Sequence, residues 1–165
     1  MRLYLMRHGI AIDRDDPDCP PDAERYLTPK GIERTREAAE GLMELGVAPA
    51  ILLTSPYVRA VQTGEIFCEV LGIEPKSLQA TDALKPEAKP TRIAEELGHL
   101  SFDEAICFGH APHLDDFIAY TLGAAAPITS LKKAGVACLD IQTLAPPGAQ
   151  LRWILTPKIL RDLSD

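Results

Sequence analysis

The stretch Arg2-Leu3-Tyr4-Leu5-Met6-Arg7-His8-Gly9 decides how the rest of the chain is read. Its apolar run, Leu3 to Met6, is too short for a helix and has the length of a strand buried on both faces. Such strands belong to parallel sheets covered by helices on either side. The run stops at a guanidinium, an imidazole and a glycine. Arg7 and His8 therefore stand at the carboxyl end of a buried strand, where α/β sheets bind their ligands. Gly9 permits a sharp turn and a close approach of backbone to ligand.

Outward from this strand, apolar runs alternate with helical patterns. Further strands are predicted at Ile51–Thr54, Glu104–Phe108, Val136–Ile141 and Leu151–Leu155, with a weak one near Ser77–Thr81. One helix opens at Thr28-Pro29, carries Ile32, Ala39, Leu42, Met43 and Leu45, and ends at Gly46. A second opens at Ser55-Pro56 and closes at Gly72, with Val58, Ile66, Phe67, Val70 and Leu71 as its apolar face. A third covers Thr91–Leu97, and a fourth begins near Pro112 and stops before Gly123. This order predicts an α/β three-layer sandwich, a mixed but mostly parallel sheet flanked by helices, in a single domain over residues 1–165. Pro146-Pro147-Gly148 predicts a turn joining the last two strands as an antiparallel pair at one edge. Residues 13–26 and 82–90 read as loops.

At 165 residues, with 46% hydrophobic and 25% charged side chains, the chain can bury a substantial core. Its formal net charge of -7 argues against nucleic acid as a partner, because no basic stripe is present to displace phosphate counterions. An anion site must then be a local concentration of cations and N–H groups. No apolar stretch has the ~20 residues that span a bilayer, and no signal peptide is evident, so cytoplasm is the expected location. Cys19, Cys68, Cys107 and Cys138 lack metal or disulfide spacing and read as reduced thiols.

Two more junctions repeat the pattern of the first. After Thr54 comes Ser55-Pro56-Tyr57-Val58-Arg59, and after Phe108 comes Gly109-His110-Ala111-Pro112. Taken singly, each residue has an ordinary explanation: Arg7 a strand-end cation, His8 a turn residue, Arg59 a solvated helix charge, His110 a helix cap. Their recurrence at matching junctions points instead to one cluster of Arg7, His8, Arg59 and His110. Two guanidiniums grip phosphoryl oxygens through forked, charge-assisted hydrogen bonds. Phosphoryl transfer asks mainly for in-line positioning and neutralisation of those oxygens. Neighbouring cations favour a neutral, attacking His8, and a backbone carbonyl on its other nitrogen would fix the tautomer. No carboxylate–His set has metal-ligand spacing, and neither a metal nor another cofactor is called for.

Arg7-His8-Gly9, Leu27-Thr28-Pro29-Lys30-Gly31, Ser55-Pro56 through Arg59-Ala60 and Gln62-Thr63, and Gly109-His110 resemble the histidine phosphatase superfamily, the phosphoglycerate mutase-like family. The short chain, the Ala134-Gly135-Val136-Ala137 strand and Trp153-Ile154-Leu155-Thr156-Pro157 are most similar to its SixA-type phosphohistidine phosphatases. The resemblance implies that His8 is the nucleophile and carries a phosphohistidine intermediate. It implies that Arg7 and Arg59 bind the phosphoryl group, that His110 stabilises the transition state, and that no metal takes part.

The chain departs from that family at two points: Ala111 stands where relatives commonly carry an amide residue, and His8-Gly9 is followed by Ile10-Ala11-Ile12 with no general acid in a clear motif. Asp82 and Glu87 lie where one would be sought, and each reads as solvated rather than catalytic. Alcohols leave phosphorus poorly without a placed proton donor, whereas the imidazole of a phosphohistidine takes a proton readily. A chain this short also has little material for a lid. Both features favour a phosphohistidine-bearing protein as substrate. A small phosphorylated metabolite is the alternative, and a non-catalytic phosphate-binding module is the rival from another class. Gly9 and His113, in the first turn after His110, are candidates for the groove lining. His99 reads as a solvated helix-end residue, and Trp153 as core or edge packing. Lys132-Lys133 reads as a solvated pair or as a surface for an acidic protein partner.

Overall fold

In a computed structural model describing residues 1–165, β1 (Arg2–Arg7) lies inside a six-stranded sheet. It pairs in parallel with β4 (Glu104–Gly109) and antiparallel with β5 (Val136–Leu144). Beyond β4 come β2 (Ile51–Thr54) and β3 (Leu78–Ala80), both parallel, and beyond β5 comes the antiparallel edge strand β6 (Pro147–Leu155). The strand order is β3-β2-β4-β1-β5-β6, mixed and mostly parallel as the sequence predicts.

Strand periodicity divides the core into two layers. Leu3, Leu5, Leu53, Ala105, Cys107, Ala137 and Leu139 pack with residues of α3 (Pro90–Gly98) and α4 (His113–Thr121), among them Ile93, Leu97 and Phe117. Tyr4, Met6, Leu52, Ile106, Phe108, Val136 and Cys138 face the other way. They pack on Ala38 and Leu42 of α1 (Pro29–Glu44), Phe67 of α2 (Val58–Leu71) and Leu160 of α5 (Pro157–Ser164). Each fully buried Leu or Phe contributes roughly 1.5–3 kcal/mol, so both faces of the sheet must be covered. Three of the cysteines are spent in this packing and all four are free thiols. No helix is long and apolar enough to cross a membrane.

Several boundaries differ from the sequence reading, each for a physical reason. α1 begins as expected, with Thr28 Oγ1 accepting from Gly31 N–H at 3.0 Å. Its buried face, however, is Gly31, Thr35, Ala38, Ala39 and Leu42, while Ile32, Met43 and Leu45 are exposed. Small residues mark the contact because α1 approaches the sheet and α5 closely; a Cβ on Gly41 would strike the Leu160 backbone. α2 starts at Val58 rather than at Ser55-Pro56, since Tyr57 is still extended. β5 and β6 run longer than expected, up to the Ala145-Pro146 turn. α5, absent from the sequence reading, is only eight residues long, and of its Ile159, Leu160 and Leu163 only Leu160 is buried. Short 3-10 turns at Asp22–Glu24 and Asp82–Leu84 lie within segments read as loops.

Register sets the site. β1, β4 and β2 are parallel neighbours, so their carboxyl ends share one edge. Arg7 pairs with Gly109 and Thr54 with Phe108. One step further, His8 N–H donates to Gly109 O and Ser55 N–H to Phe108 O, each at 2.9 Å.

Candidate functional site

His8 is buried, and its ring is held from both sides. Nδ1 lies 2.7 Å from its neighbour's carbonyl, Gly9 O, so Nδ1–H donates there. That leaves Nε2 as the unprotonated nitrogen, and Arg59 Nε–H donates to it at 3.2 Å. Burial, offset in part by the Gly9 carbonyl and reinforced by Arg59, Arg7 and Lys133, pulls the His8 pKa down to about 3. The ring is therefore neutral at ordinary pH.

Arg59 is 3% exposed, far from the solvated helix charge it would otherwise be. Its Nη1–H donates to Asp22 O at 2.6 Å and its Nη2–H to Asp22 Oδ2 at 3.4 Å. At its base, Thr63 Oγ1–H donates to Arg59 O at 2.7 Å and accepts from Gly9 N–H at 3.1 Å, tying α2 to the turn after β1. Arg7 reaches over the turn before β5, where Nη1–H donates to Leu131 O at 2.8 Å. Arg7 Nε is buried without a partner. That spare donor suits an anion. Asp115 holds the same turn, accepting from Thr129 Oγ1–H at 2.6 Å and Leu131 N–H at 3.1 Å.

His110 completes the cluster, its ring centroid 5.2 Å from that of His8. Its Nε2 lies 2.8 Å from Ser55 Oγ, which accepts from Tyr57 N–H at 3.3 Å. The Ser55 hydroxyl proton is then free to point at Nε2, which leaves the ring proton on Nδ1. Nδ1 is buried and unpartnered. Burial first, then the proximity of His8 and of the Arg59 cation, push the His110 pKa down to about 2, so it donates as a neutral ring. Tyr57 closes the side with an edge contact to His110 and a face toward Arg59, each at 5.2 Å.

Arg7, His8, Arg59 and His110 line one groove of about 740 Å³. Gly9 does not line it. Its missing side chain serves packing instead: a Cβ there would strike Thr35 Oγ1, and one on Gly31 would strike Ile10 O. The turn and α1 thus meet backbone to backbone. His113 also stays out of the groove; it is 1% exposed, with both ring nitrogens unpartnered and its pKa lowered by burial. Asp82 and Glu87 are exposed and outside the lining, Asp82 paired with Lys85 at 3.1 Å and Glu87 with Tyr57 Oη at 3.4 Å.

Sequence reasoning missed Asp22, Arg25 and the Ser55–His110 bond. Asp22 is one of several acids in a segment without periodicity, so no signal marks it. Despite some burial, hydrogen bonds and charge from Arg25, Arg59 and Arg14 hold its carboxyl below the usual range. Ser55 reads as a helix cap from sequence, yet the turn is devoted to the imidazole.

Chemically, the cluster offers an unprotonated imidazole nitrogen, one buried and one half-buried guanidinium and a neutral N–H donor around one space. Guanidiniums neutralise the oxygens of a phosphoryl group, and an imidazole can take the phosphorus.

A sequence profile of the histidine phosphatase superfamily (branch 1) matches residues 3–85, which carry Arg7, His8 and Arg59. An uncharacterised protein of Picosynechococcus sp. is 38% identical over 144 residues, covering 82% of each chain. The chain belongs to the histidine phosphatase superfamily. Its fold is the phosphoglycerate mutase-like α/β fold. Among solved structures it is similar to the protein histidine phosphatase SixA complexed with tungstate (TM-score 0.85, 23% identity, 97% of this chain and 99% of that one). It is also similar to the alpha-ribazole phosphatase from Shigella flexneri (TM-score 0.71, 18% identity, 95% and 97%).

Proposed function

We propose that this chain is a phosphohistidine phosphatase that works through a phosphorylated His8. The observation carrying this reading is the His8 ring itself, with Nδ1–H on Gly9 O and the Nε2 lone pair turned toward Arg59. His8 Nε2 attacks phosphorus in line. The P–Nε2 bond forms as the bond to the substrate's imidazole breaks, and that imidazole leaves with the electron pair and takes a proton from solvent. Arg7 and Arg59 hold the equatorial oxygens while His110 Nδ1–H donates to one of them. Water then attacks phosphorus, the P–Nε2 bond breaks, and phosphate leaves as His8 recovers its lone pair.

Two features favour an imidazole leaving group over an alkoxide. Asp22 is kept ionised by the cations around it and donates no proton. Asp82 and Glu87 are engaged outside the groove. A leaving imidazole does without such a donor; an alcohol is slowed for want of one. The groove, bordered by the exposed Asp13, Arg14 and Asp15, also suits a residue carried on a protein surface. Likeness of fold to alpha-ribazole phosphatase keeps a small phosphomonoester as the second reading.

Comparing kcat/KM on a phosphohistidine peptide with that on a panel of ribose and sugar phosphates tests the proposal. A clear preference for the peptide is expected. Faster turnover of any phosphomonoester in the panel would overturn it in favour of the second reading.

A further inference from the structure

A second groove, about 620 Å³, opens from the first through shared residues Arg7, Ile10 and Lys133. Its wall carries Arg7, Arg34, Lys132, Lys133, Lys158 and Arg161 and no carboxylate. Arg34 is paired with Glu37 at 2.9 Å and Arg161 with Asp162 at 3.4 Å, but Lys132, Lys133 and Lys158 have no ion-pair partner in the chain. In a chain of net charge -7 this clustering of unpaired cations next to the phosphoryl site is a local reversal of the background.

Backbone hydrogen bonds fix the turn that carries the exposed lysine pair. Ala134 N–H is shared between Arg7 O and His8 O at 3.1 Å each, and Arg7 N–H donates to Gly135 O at 3.1 Å. Ala134 adopts a φ of 59°, a left-handed conformation that a residue with a Cβ seldom takes. The turn presenting Lys132 and Lys133 is thereby bonded to the backbone of the residues that face the phosphoryl group. Elsewhere the site lining mixes charges, Asp13, Asp15 and Asp22 standing with Arg14 and Arg25, and Asp22 is paired with both arginines. Only the basic groove offers an anionic segment leaving the site a run of cations with no carboxylate among them.

We propose that this basic groove docks an acidic segment flanking the phosphorylated histidine of the substrate protein, and so sets which phosphohistidine proteins are dephosphorylated. The inference rests on the phosphohistidine reading and names the partner's chemistry. A small dianion fits the groove less well. Small-molecule sites are mostly apolar with a few polar groups, whereas the unpaired lysines here come from both the turn before β5 and α5. Charge of this kind steers and selects a partner more than it adds to the chemistry.

The test uses two synthetic phosphohistidine peptides, one with glutamates flanking the histidine and one with serine and glycine. The chain and its Lys132→Glu/Lys158→Glu variant are assayed on both, with para-nitrophenyl phosphate as control. The acidic peptide is expected to show a kcat/KM higher by about tenfold at low ionic strength, shrinking as salt is added. The variant should lose that preference and keep its aryl phosphatase rate. Equal kcat/KM on the two peptides, or a preference that survives in the variant, overturns the docking groove and leaves the phosphohistidine reading standing. Hydrolysis of the aryl phosphate but of neither peptide overturns both. If the variant loses activity only toward a bis-phosphorylated small molecule, the groove belongs to a metabolite and the proposal fails.

Discussion

Arg59 Nε lies 3.2 Å from His8 Nε2, the ring nitrogen that the Gly9 carbonyl leaves unprotonated. The same guanidinium is anchored at its far end by Asp22. Arg59 thus orients the lone pair and stands ready to transfer its donors to phosphoryl oxygens. Arg59→Ala is expected to lower kcat/KM by about 10²–10³-fold, the ~2.7–4 kcal/mol typical of one lost electrostatic donor. Arg59→Lys should recover little, because an ammonium lacks the fork. Steady-state kinetics on an aryl phosphate checks this, and a loss below threefold would place Arg59 outside the chemistry.

Neutrality of the two imidazoles has a pH signature. In the folded chain His8 is held at about 3 and His110 at about 2, against an ordinary value of 6.5. Their ring resonances should stay those of neutral imidazole down to pH 5. Because the unfolded chain binds more protons in this window, folding stability falls as pH drops from about 6.5 toward 3. NMR titration alongside denaturant unfolding at several pH values measures both effects. Titration of the His8 ring near 6.5 would contradict the geometry.

Ser55 fixes the tautomer of His110 through the 2.8 Å bond to Nε2. Ser55→Ala frees the ring to place its proton on either nitrogen. The expected cost is about two- to tenfold in kcat with KM little changed, from one hydrogen bond of ~0.5–1.5 kcal/mol. His110→Ala should cost more. Equal kcat for Ser55→Ala and the parent chain would remove Ser55 from the site.

Close backbone packing under the site predicts a stability effect as well. Gly31→Ala places a Cβ against the Ile10 carbonyl, so the turn after β1 must shift. A destabilisation of about 1–3 kcal/mol is expected, with activity falling alongside it as His8 moves. Thermal unfolding and kcat on the same samples check the pair. Unchanged stability would mean that α1 and the turn are more loosely packed than described.

Legibility in the sequence followed burial. The three inner parallel strands read clearly because apolar runs such as Leu3–Met6 and Ala105–Phe108 are buried on both faces and stop sharply at Arg7-His8 and Gly109-His110. Their register then brings those residues to one edge without further information. Of the apolar face read for α1, Ala39 and Leu42 are buried, while Ile32, Met43 and Leu45 face solvent because the contact is made by small residues such as Thr35 and Ala38. α5 is hard to read because it is a single short helix of eight residues directly after the last strand, although Thr156-Pro157 opens it as a capped start. Asp22 could not be singled out, since its role depends on a long-range approach to Arg59, 37 residues away in sequence. Gly9 was legible as a necessary glycine, but its reason is contact with α1 rather than access for a ligand.

The most direct measurement is a rapid alkaline denaturant quench during turnover of a phosphohistidine peptide labelled on phosphorus, followed by mapping of the phosphoryl label at alkaline pH. A stoichiometric, acid-labile phosphoryl group on His8, absent from His8→Ala together with all turnover, is the expected result. Label on another residue, or continued hydrolysis by the folded His8→Ala variant, would contradict it.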